Sequence, residues 1–313
     1  VITIAGGGLA GLSCAYELLR RGARVTVLER APALGTSSVS RFAGGMLAPW
    51  CERESAEEQV VTLGRRAVDW WDQITPVTRR GTLVVAPSRD RAELTRFARR
   101  TSAYQEVSGE VVAELEPALA GRFSQGLFFD QEAHLDPRRA VLDLAAKVQE
   151  LGAEIRLNSE ATGPVDLDCT GMAAARPQLR PVRGEMAYLR CPGVDITRTI
   201  RLLHPRMPLY LVPRGDGIYM IGATMIESDS NGPVTLRSLM EMLGAAYALS
   251  PGFAEAEILE TGAGLRPAFP DNLPRLEEAE GRFFLNGLYR HGFLLAPAMA
   301  EAAADRLLSG ERS

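Results

Sequence analysis

Val1-Ile-Thr-Ile-Ala-Gly-Gly-Gly-Leu-Ala-Gly11 is the stretch on which the fold turns. Residues 1–5 form a short apolar run rich in β-branched side chains, which suits a parallel strand buried on both faces. Gly6, Gly8 and Gly11 follow at GxGxxG spacing. Their roles differ. Gly6 permits a tight turn, Gly8 lets the backbone approach a pyrophosphate, and Gly11 lets a helix pack closely on the strand. Leu12, Ala15, Leu18 and Leu19 then recur at helical spacing, which predicts a helix from about Leu9 to Arg21, ended by Gly22. Arg24–Leu28 reads as a second strand, closed by Glu29 18 positions after Gly11. Strand, glycine turn, helix, strand and acidic residue form the context that a dinucleotide site requires. The helix amino end offers unpaired N–H groups to phosphates, and Glu29 would accept ribose hydroxyls and repel a 2′-phosphate.

The next segment separates two kinds of dinucleotide. Gly35-Thr-Ser-Ser-Val-Ser-Arg-Phe-Ala-Gly-Gly-Met-Leu-Ala-Pro49 is long, built of small residues and without a strong period. A plain NAD domain would place a second helix soon after Glu29. A Ser/Gly loop instead runs along an extended cofactor and lets a flat ring approach the backbone. Further markers follow in order: Glu52, Gly81-Thr-Leu-Val-Val85, His134-Leu-Asp-Pro137, Asp168-Cys-Thr-Gly171 and Val182-Arg-Gly-Glu185. The last are Tyr210-Leu-Val-Pro-Arg214, Ile221-Gly-Ala-Thr224, Gly264-Leu-Arg-Pro267 and Tyr289-Arg-His-Gly-Phe-Leu-Leu-Ala-Pro297.

On these markers the chain resembles the D-amino-acid oxidase superfamily of flavoproteins and, within it, the glycine oxidases of thiamine biosynthesis. The resemblance spans nearly the whole chain. It implies non-covalent FAD held by Gly6, Gly8, Leu9, Ala10 and Gly11, then by Glu29 and Arg30, and by Ser40, Ala43, Gly44, Gly45 and Met46. Thr170 and Gly171 would contribute, as would Arg290, His291, Gly292, Phe293 and Leu294. It implies a small amino-acid substrate whose carboxylate meets Arg266, Tyr210 and Arg290, with Met46 and Met225 lining the pocket. A bidentate guanidinium is the usual partner of a carboxylate. The implied reaction is hydride transfer from the substrate Cα to flavin N5, giving an imine for the thiazole of thiamine. No side chain acts as acid or base in it, because the cofactor carries the chemistry. Oxygen is the expected electron acceptor. The chain departs from some relatives at Pro208, two residues before Tyr210, where they carry a polar side chain.

Periodicity supports an α/β fold: a Rossmann-type FAD-binding domain interleaved with an α+β substrate domain containing an antiparallel sheet. Helical patterns fall near 57–73, 92–103, 137–151, 236–248 and 297–308. Strand-like runs fall near 82–85, 154–157, 165–169, 185–189, 199–203, 209–212, 218–221, 257–261 and 283–285. The expected division gives residues 1–80, 135–171 and 262–313 to the FAD-binding domain, and 81–134 and 172–261 to the substrate domain. The final helix, starting after Gly287–Gly292, would turn its positive end toward the flavin edge where negative charge develops.

Composition excludes several classes. The chain has 313 residues, 46% hydrophobic and 24% charged, with a net charge of −4, too small to point to nucleic acid. Cys14, Cys51, Cys169 and Cys191 form no CxxC pair, so neither a zinc site nor a disulfide framework is expected. No basic n-region precedes the first strand and no apolar run reaches membrane length, so a cytoplasmic protein is expected, as a homo-oligomer. Two relatives of the fold are weighed against the first reading. Sarcosine oxidases hold flavin through a cysteine in their C-terminal part and use a lysine; here no cysteine follows Cys191, and Lys147 is the sole lysine. Flavin monooxygenases carry a Gly-Asp motif where this chain has Asn286-Gly-Leu-Tyr-Arg-His-Gly. D-amino-acid dehydrogenase-like chemistry and a flavin-binding accessory protein acting on another polypeptide remain as alternatives at this point.

Overall fold

The computed structural model describes residues 1–36, 38–204 and 208–309. Ser37 of the Ser/Gly loop, residues 205–207 before Tyr210 and residues 310–313 thus lie outside the described residues.

The first strand, Ile2–Ala5, lies between two parallel neighbours, Val25–Leu28 and Leu167–Asp168. Glu154–Arg156 extends this sheet on one side, and Arg282–Asn286 with its antiparallel partner Arg275–Ala279 extends it on the other. Ile4, Leu12, Leu18, Val27, Leu144 and Leu295 are fully buried where the helices Leu9–Arg20, Pro137–Glu150 and Gly292–Ser309 pack over the sheet. Gly22, at φ +83°, closes the first helix: its N–H reaches Leu19 O at 2.9 Å, and the Ala23 N–H reaches Leu18 O at 3.0 Å. Asp136 starts the helix Pro137–Glu150 by accepting from Arg138 N at 2.8 Å, with Pro137 at the position where no N–H is needed.

A second sheet is mostly antiparallel. Its edge strand Glu257–Ala268 pairs along Arg180–Arg190, followed by Ile218–Gly222, Leu209–Gly215 and Thr199–Leu202. Thr82–Val85 then joins in parallel, before Gln125–Phe129 and Gln105–Ser108. The helix Leu236–Leu249 packs on its strands. Glu257–Ala268 runs unbroken across the division expected between 261 and 262.

Three features differ from the sequence reading for physical reasons. The helical pattern at 57–73 is two helices, Glu58–Gly64 and Ala67–Asp72. Gln105–Ser108 carries no periodic apolar signal because it is an exposed outer strand. The last helix begins at Gly292 and takes Pro297 into its interior. Pro297 cannot donate to Phe293 O, and the Trp71 indole N–H fills that acceptor at 2.8 Å.

Candidate active site

The glycine turn is shaped as its spacing demands. A Cβ on Gly11 would stand 1.9 Å from Gly6 O, so no side chain fits between helix and strand. At Gly8 the same atom would meet, among the described residues, Ser38 alone, with Oγ the nearer atom at 3.3 Å. The protein leaves that face of Gly8 open, and no side chain caps the helix it begins. These are the conditions under which backbone N–H groups receive a phosphate. Glu29 is buried, its oxygens accepting from Gly7 N and Ala31 N at 2.8 Å each.

A cleft of about 730 Å3 opens from this turn. Gly6, Gly8, Leu9, Ala10, Glu29, Arg30 and Ser40 line it, with Ala43, Gly44, Gly45 and Met46. Thr170 and Gly171 line it as well, and so do Tyr210, Arg266, Arg290, His291, Gly292, Phe293 and Leu294. Gly11 does not, being pressed against Gly6. Met225 does not line it either, against expectation: half-exposed, it turns its sulfur toward the Tyr289 hydroxyl at 3.5 Å and Arg290 Nη1 at 3.4 Å. Pro208 is exposed and away from the cleft wall. The glycine turn, the uncapped helix and the extended cleft fit FAD. Among the described residues, no cluster of His, Cys, Asp or Glu could hold a metal ion.

One wall of the cleft is cationic. Arg266 lies opposite Val182 in the sheet, its guanidinium folded across Gly184, where a Cβ would stand 2.1 Å from Nη2. It donates to Thr224 O at 2.9 Å, and no carboxylate among the described residues pairs with it. Burial pushes its pKa down from the ordinary arginine value. Tyr210 packs its ring against Gly44, where a Cβ would be 2.9 Å away. Burial pushes the Tyr210 phenol up, so it stays protonated and able to donate.

Arg290 sits differently. It pairs with Glu52 at 3.0 Å and donates to Ser55 Oγ at 2.6 Å. The same Glu52 oxygen meets His291 Nε2 at 2.8 Å, and the other meets Arg201 Nη1 at 3.2 Å. Burial alone would raise the Glu52 carboxyl, but Arg290, His291 and Arg201 hold it well below the usual range. Burial holds His291 below its ordinary value, against the pull of Glu52. The wall therefore holds one neutralised arginine and one, Arg266, without a counter-charge among the described residues.

Glu52 stood in the sequence as a motif member without a role, and Arg201 was missed. A charged residue inside the apolar strand Thr199-Ile-Arg-Leu202 is the signal that marks Arg201 as paired and buried. His134 is buried opposite Met46, and burial with Arg214 and Arg80 nearby lowers its pKa to about 3. Lys147 is exposed and paired with Glu150 at 2.9 Å, away from the cleft. The four cysteines are buried and free.

Residues 2–306 match the DAO family, described as FAD dependent oxidoreductases. The chain belongs to that family. This DAO-family protein is 56% identical to a Rhizobium etli protein named as a thiamine biosynthesis oxidoreductase, ThiO, over 98% of this chain and 96% of the relative. It is 27% identical to a glycine oxidase of Bacillus licheniformis, over 97% of this chain and 92% of the relative. Its fold matches the crystal structure of a glycine oxidase from Bacillus cereus with a TM-score of 0.84 at 23% identity, covering 99% and 95% of the two chains. No helix among the described residues is long and apolar enough to cross a membrane.

Proposed function

We propose that this DAO-family protein oxidises the amine of glycine, or of a similarly small amino acid, to an imine used in building the thiazole of thiamine. The observation that carries the reading is Arg266: a cationic side chain in the cleft wall, bonded to one carbonyl and, among the described residues, to no carboxylate. A substrate carboxylate would supply the missing counter-charge, and desolvation would strengthen the pair. Tyr210 would donate to the same carboxylate. Bound FAD supplies the acceptor for the hydride leaving the substrate Cα, with oxygen as the acceptor that returns it to the oxidised state. Glu52 keeps Arg290 and His291 fixed at the start of the helix Gly292–Ser309, whose amino end faces the cleft. The exposed, paired Lys147 lies away from the cleft, which does not favour a sarcosine-oxidase-like reading. The names of two relatives, ThiO and glycine oxidase, support the same substrate class.

Steady-state oxidation tested with glycine, sarcosine and D-alanine checks this reading. Glycine should give glyoxylate and ammonia once the imine hydrolyses, and no turnover with any of the three would remove the proposal. Within that assay, Tyr210→Phe should raise KM for glycine roughly 10- to 150-fold, the worth of one hydrogen bond to a charged acceptor, while FAD stays bound.

A further inference from the structure

One buried acid beside the cleft wall takes no direct part in the proposed chemistry. Glu132 lies in the turn between the strand Gln125–Phe129 and the short strand Ala133–His134, and is 1% exposed. Its Oε1 accepts the Cys51 N–H at 2.7 Å, across 81 residues of sequence. Its Oε2 is buried, with the Thr82 hydroxyl beside it. Cys51 belongs to the single turn Pro49–Glu52, whose leading residue Ala48 has no side-chain oxygen to cap it. Glu132 supplies the acceptor that Ala48 lacks. The next residue on that turn is Glu52, which holds Arg290, His291 and Arg201.

We propose that Glu132 is a positioning residue for the substrate wall: it fixes the turn Pro49–Glu52 through Cys51 N–H, and so sets where Glu52 holds Arg290 and His291. The inference rests on the reading of that wall as the carboxylate site. The alternative, an acid retained only as a turn support, would leave ligand binding indifferent to its charge. The charged and titratable groups facing Glu132 are Cys51 and Glu52 on the turn and Arg201 on the strand Thr199–Leu202, with the Thr82 hydroxyl beside it. Glu54 shares Arg201 at 3.9 Å. Burial, opposed by Thr82 and Cys51 and helped by Glu52, raises the Glu132 carboxyl to about 7. Glu52 and His291 are held below their ordinary values, while Cys51 and Tyr210 are held above theirs. Ionisation of Glu132 places a second negative charge beside Glu52, on the turn that holds Arg290 and His291, and it competes for Arg201. An anionic ligand should then bind less tightly as pH rises through this value.

The test is titration of flavin-loaded wild type, Glu132→Gln and Glu132→Leu with glycolate, read from the flavin absorption spectrum. Glycolate carries the carboxylate and no amine, so its own charge does not change over the range used. Wild type should bind it about 3- to 10-fold more weakly at about pH 8 than at about pH 6. Glu132→Gln keeps an oxygen for Cys51 N–H and cannot ionise, so its affinity should be flat with pH. Glu132→Leu should bind glycolate about tenfold more weakly at both values and release FAD faster by a similar factor. Glu132→Gln following the wild-type pH dependence would overturn the inference, and so would Glu132→Leu binding glycolate and holding FAD as wild type does. Should Glu132→Leu fail to fold, Glu132→Gln alone decides. If wild type binds no glycolate at either pH, the carboxylate reading itself fails. FAD release from Glu132→Leu then decides the positioning role, with a wild-type rate counting against it.

Discussion

Arg266→Ala is expected to keep FAD and to lose glycine. The guanidinium touches Thr224 O and lies across Gly184, and no carboxylate among the described residues depends on it, so its removal orphans no charge among them. What it leaves unpaired is the substrate carboxylate. Truncating one partner of a desolvated charge pair costs about 2–5 kcal/mol, a loss of tens- to thousands-fold in kcat/KM. Arg290 cannot replace it without giving up Glu52, its partner at 3.0 Å. The measurement is glycine kinetics together with the bound flavin spectrum. Unchanged kinetics with glycine would show that the carboxylate, if there is one, lies elsewhere.

The second large effect is expected at Gly8. A valine there has room within the protein, since the first atom met is Ser38 Oγ at 3.3 Å, on a short flexible side chain. It has no room beside a pyrophosphate lying on the open helix end. Gly8→Val should therefore fold and be purified colourless, with FAD affinity reduced about 100-fold or more through loss of two or so charge-assisted hydrogen bonds. Gly11 is the contrasting position. Its Cβ would strike backbone at 1.9 Å, so a side chain there damages the fold before it touches a ligand. A yellow Gly8→Val protein with wild-type affinity would remove this loop from the cofactor site. Denatured wild type should release its FAD intact, because the cysteines are buried and none follows Cys191.

Local chemistry was legible where a segment makes its own structure. The strand Ile2–Ala5, the glycine turn, the helix Pro137–Glu150 behind its Asp136 cap and the strand Thr82–Val85 can each be read from their own residues. What was not legible depends on partners distant in sequence. Pro297 reads as a helix start because the sequence cannot show that Trp71 fills the carbonyl it frees. Gln105–Ser108 has no inward apolar alternation, since its pairing with Gln125–Phe129 is made by backbone groups that any sequence carries. The same limit governed the site. The motifs single out Arg266 and Tyr210, which both line the cleft, but they give Arg290 the same role as Arg266. Only the fold shows that Glu52, 239 residues from His291, joins that histidine and neutralises Arg290. Glu132 stood unnoticed for this reason, as its carboxylate accepts from a backbone N–H on another element.

The whole reading depends on a flavin that takes its hydride from a small amino acid held by Arg266. Anaerobic stopped-flow mixing with glycine and with Cα-deuterated glycine isolates that step, because neither oxygen nor product release enters the signal. Glycine should bleach the flavin, more slowly with deuterium where C–H cleavage limits the step, and the response should weaken in parallel with binding in Arg266→Ala. A flavin left oxidised by glycine, sarcosine and small D-amino acids alike would refute it.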